Sequence, residues 1–434
     1  MTSESVDAHA APRPIDLPTH VPLDADADLS VLDEAKILAA PDDPADRPAW
    51  RAALRRWRDD ARSRMCFDDS RYVQTTWPST AWNVAMVWLW DEAVYDWSSP
   101  GRAGRHDVER LLQTYEPFGG LDAVVLWHAY PVIGIDERNQ FDWYRGVPDL
   151  AALVAELHGH GVKVFVDYNP WDVGTRRAGG SDAEELAALV TETGADGVFL
   201  DTLQEGDAEL LRRLAVLDPP PVLAAESAVP LTRVADHQAS WAEWFADSDA
   251  PGVLRARWFE RRHMMHHVRR WNRDHTAELQ SAWVNGAGMV VWDVVFGVWV
   301  GWNERDLATL RAMRRTQQAL GDHLVHGTWV PLTDLAPEAT AGGVHGSRWA
   351  HNGTTLWTVV NRADDEYTGP LLPRDVASAG ARLLDLVSGG ELDSSVVVRI
   401  PGQGIGGVLL LPAGAEEPAG LRRLIARARD EARV

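Results

Sequence analysis

The 434-residue chain carries 42 Lys+Arg against 64 Asp+Glu, a net charge of −22, so it lacks the basic surface with which nucleic-acid binders displace counterions. Hydrophobic residues at 45% and charged residues at 24% fit a globular protein with room for two or three domains, and no apolar run is long enough to span a bilayer. Nucleic acid and membrane are therefore not expected as partners. The N-terminus, MTSESVDAHAAPRPIDLPTH, has neither a basic n-region nor an apolar h-region, so no signal peptide is read and a cytoplasmic location is expected. The single Cys66 forbids an intramolecular disulfide and fits a reducing compartment.

Residues 1 to 45 show little periodicity, and at least the first 20 or so are expected to be mobile. AWRAALRRWRDDARSR then predicts a helix with Trp50, Leu54 and Trp57 on one face. A repeating pattern follows. Apolar runs end in polar or acidic residues at 81–92, 122–130, 161–169, 196–202 and 221–227, with helical segments such as LVAELHGHG and DAEELAALVTETG between them. Runs at 255–260, 278–286 and 288–296 bring the expected strands to eight. Continuous apolar strands alternating with amphipathic helices mean parallel strands covered on both faces, and eight of them predict an α/β fold of the closed (β/α)8 TIM-barrel type. After a helix at 304–323 the pattern changes to alternating strands and turns, predicting a C-terminal antiparallel β-sandwich domain, and the tail predicts a final amphipathic helix. The expected division is 1–70 for the N-terminal segment and helix, 71–325 for the barrel, 326–413 for the β domain and 414–434 for the last helix.

Catalytic groups in such a barrel sit at the C-terminal ends of the strands. The residues that close the apolar runs are Asp91 and Glu92, His128, Asp167 and Asn169, Asp201, Glu226 and Asp293. Asp201 closes the fourth run and Glu226 the fifth, so the two carboxylates should face each other across the barrel mouth. A carboxylate pair is the minimum equipment for glycoside hydrolysis, one group acting at the anomeric carbon and the other protonating the leaving oxygen. Each acid also has a structural reading as a helix cap or ion-pair partner. Tryptophan is unusually frequent, 21 against 7 Tyr and 8 Phe. Most should be core, but Trp90, Trp127, Tyr130, Trp171, Trp241, Trp244, Trp292, Trp299 and Trp302 fall at or near strand ends, where indoles can stack on sugar rings. The expected substrate-binding set is Trp90, Asp91, Trp127, His128, Asp167, Asn169, Trp171 and Asp293. Arg176 and Arg177 could read an anionic group.

The segment Gly194-Ala-Asp-Gly-Val-Phe-Leu-Asp201 resembles the fourth-strand motif of the α-amylase superfamily of barrel glycoside hydrolases, and is also similar to the endo-polygalactosaminidase type. That resemblance implies Asp201 as nucleophile, Glu226 at the end of strand five as general acid/base, and a retaining mechanism. Gly161-Val-Lys-Val-Phe-Val-Asp167-Tyr-Asn169 resembles the third strand of the same enzymes, whose Asp and Asn border the sugar subsite. Two features depart from the pattern. Phe199 stands where amylases place an arginine, and the Asn-His-Asp motif of strand seven is missing, with Asn285 and Asp293 as its nearest late substitutes. Starch as a substrate therefore does not follow.

His263, His266 and His267 are spaced as on one face of a helix, which can bind zinc, but no HExxH and no second Cys completes a site. No G-x-G-x-x-G follows the first strand, and no P-loop or G-x-S-x-G occurs, so neither a cofactor nor a metal is expected. The expected function is cleavage of a small glycoside or oligosaccharide. Its rivals are a transglycosylase or sugar isomerase on the same barrel, a catalytically silent carbohydrate-binding barrel, and a metal-dependent barrel hydrolase. Homo-oligomer formation is left open.

Overall fold

The computed structural model describes residues 17–98, 104–128, 138–171, 179–242, 246–270, 272–292, 294–295, 298–373, 376, 380–393 and 395–432. Eight strands, β1 (Asn83–Trp88), β2 (Ala123–Trp127), β3 (Lys163–Tyr168), β4 (Gly197–Leu200), β5 (Val222–Ala225), β6 (Ala239–Ala242), β7 (Met264–His267) and β8 (Gly288–Val291), close a barrel in chain order. Every neighbouring pair is parallel, including β8 with β1.

Alternation along these strands sorts their side chains into two separate cores. Val84, Met86, Val125, Trp127, Phe165, Phe199, Ala224, Trp241 and Val290 form one cluster that fills the barrel. The residues between them, such as Ala85, Val124, Val164, Val198, Leu223 and Val291, join a second cluster with Leu111, Leu153, Leu186 and Leu210. Those four leucines belong to the surrounding helices α2 (Val108–Tyr115), α3 (Leu150–Gly159), α4 (Asp182–Thr193) and α5 (Ala208–Ala215). The two-residue period of a strand, buried on both faces, produces this division.

The strand count agrees with the sequence reading, but two of the eight assignments do not. Residues 255–260, expected as a strand, form a short helix, Arg255–Phe259, and 278–286 lie in helix α6 (Thr276–Asn285). The sixth and seventh strands are instead Ala-Ser-Trp-Ala and Met-Met-His-His. The reason is burial of polar groups. Residues 278 to 285 of α6 are all buried, including Glu278, Gln280 and Asn285, so the helix has no solvent face and loses the 3.6-residue pattern. His263, His266 and His267 are thus not on a helix. His266 and His267 end β7, and all three are buried with pKa values pushed down by desolvation. The His263 ring contacts the Ser240 hydroxyl at 2.8 Å, and the His266 ring contacts the Ala81 carbonyl at 2.7 Å.

Before the barrel, Ile37 and Leu38 pair antiparallel with Leu254 and Val253, and α1 (Arg47–Arg64) buries Trp50, Leu54 and Trp57 as its spacing predicts. Helix α7 (Glu304–His326) leads to a six-stranded antiparallel sheet. Its order is β9 (Thr328–Val330), β10 (Val344–His351), β11 (Thr354–Asn361), β16 (Ile405–Leu411), β13 (Arg382–Asp385) and β14 (Glu391–Leu392), and a ribbon of β12 (Tyr367–Pro370) and β15 (Val397–Ile400) accompanies it. Helix α8 (Leu421–Glu431) packs on α7. No helix among the described residues is long and apolar enough to cross a membrane.

Helix α6 is wedged between barrel and sheet. The indole N–H of Trp283 donates to the Gly406 carbonyl of β16 at 2.8 Å, and Gln280 Nε2 donates to the Asn361 carbonyl of β11 at 2.9 Å. Trp283→Ala should therefore cost about 3–5 kcal/mol in chemical denaturation. A loss under ~1 kcal/mol would show that the sheet does not brace the barrel through this helix.

Candidate active site

The inward-facing rows of three adjacent strands carry the acids to the mouth. Phe165, Asp167 and Asn169 lie on one row of β3, Phe199 and Asp201 on one row of β4, and Ala224 and Glu226 on one row of β5. Asp201 and Glu226 are each the first residue past their strand. The Asp201 N–H donates to the Tyr168 carbonyl at 2.9 Å, so the ladder continues one residue beyond the strand and fixes the side-chain direction.

Asp201 is 4% exposed and Glu226 7%, and their carboxyls face each other in hydrogen-bond contact. Glu226 Oε2 accepts the backbone N–H of Thr202. Thr202 has φ of 62°, a left-handed conformation that costs a β-branched residue on the order of 1–3 kcal/mol, and its N–H is turned back onto the carboxylate. Asp201 Oδ2 accepts from Asn169 Nδ2 at 3.1 Å. Asn169 is itself held, its Oδ1 accepting the Trp171 N–H at 2.8 Å and its own N–H donating to Gln140 Oε1 at 3.1 Å. Burial pushes the Asp201 carboxyl well above the usual carboxylate range, the neighbouring Glu226 charge adds to the shift, and His128 and Arg270 oppose it. Two buried carboxyls this close favour sharing one proton between them.

Beside the pair, His128 Nδ1 lies 2.7 Å from Asp167 Oδ2, both groups buried. The Asp167 N–H donates to the Tyr144 hydroxyl at 3.0 Å, and that hydroxyl donates to the Leu126 carbonyl at 2.5 Å, which locks β3 to β2. Below the acids lies an aromatic floor. Phe199 stacks on Trp241 at 3.9 Å, Trp241 meets Trp292 at 6.1 Å, and the Trp292 ring meets the edge of Trp127 at 5.4 Å. The indole N–H of Trp292 is buried with no acceptor among the described residues.

The structure thus brings together Asp201, Glu226, Asn169, His128, Asp167, Trp127 and Trp292. The other candidates among the described residues have these positions. Asp91 closes its own turn, accepting the Ala93 N–H at 2.8 Å, and Glu92 is exposed. Trp90 sits in an aromatic group with Tyr95, Trp97, His106 and Trp143, and the Trp143 ring in turn meets the edge of His128 at 6.1 Å. Trp171 is 75% exposed. Asn285 is at the end of α6, where its Oδ1 accepts the Leu254 N–H at 3.0 Å. Asp293, Tyr130, Trp244, Arg176 and Arg177 lie outside the described residues, as does the side chain of Trp299.

One charged neighbour escaped the sequence reading. Arg270, three residues past β7, reaches to 4.0 Å from Glu226 Oε1, with its guanidinium 5.2 Å from the centre of the Trp292 ring. Reading MMHHVRR as a helix hid it, because only a strand there points Arg270 at the barrel mouth.

No family profile matches the sequence, and no curated protein matches it. Among solved structures, the chain is similar to an α-amylase from Anoxybacillus, at 12% identity and a TM-score of 0.51, over 78% of this chain and 99% of that one. It is similar to the same extent to the Geobacillus thermoleovorans α-amylase solved with acarbose, at 13% identity and a TM-score of 0.51, again over 78% of this chain and 99% of that one. At such identity the likeness establishes a shared barrel fold.

The buried proton has a consequence for stability. A carboxyl whose pKa is raised by folding loses stabilisation as pH climbs above its unfolded value, because the unfolded chain releases the proton first. Asp201→Asn removes that penalty while keeping the shape. Its denaturation midpoint should exceed that of the parent by a margin that widens from about pH 5 to about pH 7, and a margin independent of pH would contradict the shared proton.

Proposed function

We propose that this chain is a glycoside hydrolase that cleaves a small glycoside or oligosaccharide with Asp201 as nucleophile and Glu226 as general acid/base. The observation that carries the reading is the contact between two buried carboxyls at the mouth ends of neighbouring barrel strands. Inverting enzymes hold their carboxyls about 6.5–9.5 Å apart to admit a water, and retaining enzymes about 5–5.5 Å. The retaining assignment follows the amylase-like placement of the two acids on strands four and five. The amylase-like fold supports the strand-four and strand-five placement, and the residues assigned to the catalytic unit are 71–325, with 326–413 as the β domain behind it.

Reaction needs an ionised Asp201 at the anomeric carbon and a protonated Glu226 at the glycosidic oxygen, so the proton shared by the pair works from Glu226. Asn169 then steadies the Asp201 carboxylate, and Trp127, Trp292 and the His128–Asp167 pair offer indole faces and hydrogen bonds to a neutral polyol.

The test is a panel of α- and β-linked chromogenic glycosides. Asp201→Asn should abolish turnover of whichever member is cleaved. Glu226→Gln should lower kcat about 10²–10⁴-fold on poor leaving groups and much less on dinitrophenyl glycosides, which need no acid. Turnover untouched by both substitutions would overturn the assignment.

A further inference from the structure

We infer that Arg270, seated on the Trp292 indole, is the positioning residue that orients Glu226 and offsets the negative charge of the carboxyl pair. The inference deepens the glycosidase reading and rests on it for the catalytic consequence, though not for the electrostatic one.

The geometry is a relay across the barrel mouth. Phe199 of β4 occupies the inward position two residues before Asp201 and stacks flat on Trp241 of β6, at 3.9 Å and 24°. No cation can rise to the acids from that row. Trp241 abuts Trp292 just beyond β8, and the Arg270 guanidinium lies over the Trp292 ring at 5.2 Å. A guanidinium over an indole face is attracted by the ring quadrupole and pays little desolvation on that side. From this seat it points a donor at Glu226 Oε1, at 4.0 Å, while the backbone N–H of Thr202 takes Oε2. Glu226 thus has a cation near one oxygen and a backbone N–H on the other. Among the described residues, Asp201 accepts from the neutral amide of Asn169.

Among the described residues Arg270 is the only arginine or lysine within 4 Å of either carboxylate. The other charged or titratable groups facing the pair are His128 beyond β2 and Asp167 on β3, which are engaged with each other at 2.7 Å. Burial weakens the hold of Arg270 on its proton, but Glu226 and Asp201 both restore it, so the group remains a cation. Its side chain is 22% exposed, so solvent screens the interaction only in part.

In catalysis the arrangement serves the first half of a retaining cycle, in which Glu226 gives its proton to the leaving oxygen. A cation at 4 Å makes it a readier proton donor and a well-placed anion afterwards. It supplies from strand seven the positive charge that the amylase pattern carries on strand four.

The test reads the carboxyls directly. The ligand-free protein, labelled with carbon-13 at its Asp and Glu side-chain carboxyls, is titrated by NMR, with Asp201→Asn and Glu226→Gln used to assign the two signals. Arg270→Met should raise the pH at which the pair releases its proton by about one unit or more, Arg270→Lys should restore most of the shift, and Trp292→Leu should give a smaller change in the same direction. If a glycoside is turned over, Arg270→Met should also lower kcat more than it raises KM and move the pH profile upward. A pair whose titration is the same in Arg270→Lys, Trp292→Leu and a folded Arg270→Met overturns the inference. Shifted titration in a protein that cleaves no glycoside would leave the electrostatic role standing and strike the function instead.

Discussion

Everything around the mouth of this barrel answers to one constraint, the burial of two carboxyls against each other. Two ionised carboxylates in contact and away from water repel strongly, so the pair must keep a proton, recruit a cation, or do both. The structure does both. Desolvation favours a proton on the pair, and Arg270 brings a cation to within 4.0 Å of Glu226. The strained Thr202 makes sense in the same terms, because the backbone conformation that costs energy locally delivers an N–H to Glu226.

The scaffold supplies the rigidity that such a site requires. Inward rows of β3, β4 and β5 place Asp167, Asp201 and Glu226 on adjoining strands, and cross-strand ties such as Tyr144 to Leu126 and Asp167 leave little freedom in register. The floor of Phe199, Trp241 and Trp292 fills the barrel just beneath the acids and keeps water from approaching from below. Behind the barrel, the C-terminal sheet holds α6, whose buried polar face joins β11 and β16 through Gln280 and Trp283. Many of the tryptophans that make the composition unusual work as such struts. Trp50, Trp57 and Trp258 each donate an indole hydrogen bond to the N-terminal layer that wraps the barrel.

How much of this was legible in the sequence depended on whether a segment met the ordinary rule of apolar inside and polar outside. VKVFVDYN, DGVFLD and PVLAAES obey it, so β3, β4 and β5 and the acids that end them could be read directly. Beyond β5 the rule fails. β6 carries a buried serine between two alanines and a tryptophan, β7 is half histidine, the Arg255–Phe259 helix buries Arg255 and Arg257, and α6 buries Glu278 and Gln280. These polar groups are satisfied by partners distant in sequence, as when Arg255 donates to the carbonyls of Asp33 and Val229 at 2.7 and 2.6 Å. No local pattern encodes such partners. The loss of β7 also concealed Arg270.

The central claim is that Asp201 attacks a sugar while Glu226 delivers the proton. Retaining glycosidases form a covalent glycosyl-enzyme, which fluorinated glycosyl fluorides trap. The most direct measurement is to incubate the protein with a panel of 2-fluoro and 5-fluoro glycosyl fluorides and locate the adduct by peptide mass spectrometry. The account predicts a glycosyl mass on the peptide containing Asp201, absent in Asp201→Asn. An adduct on Glu226, Asp167 or any other residue would contradict it.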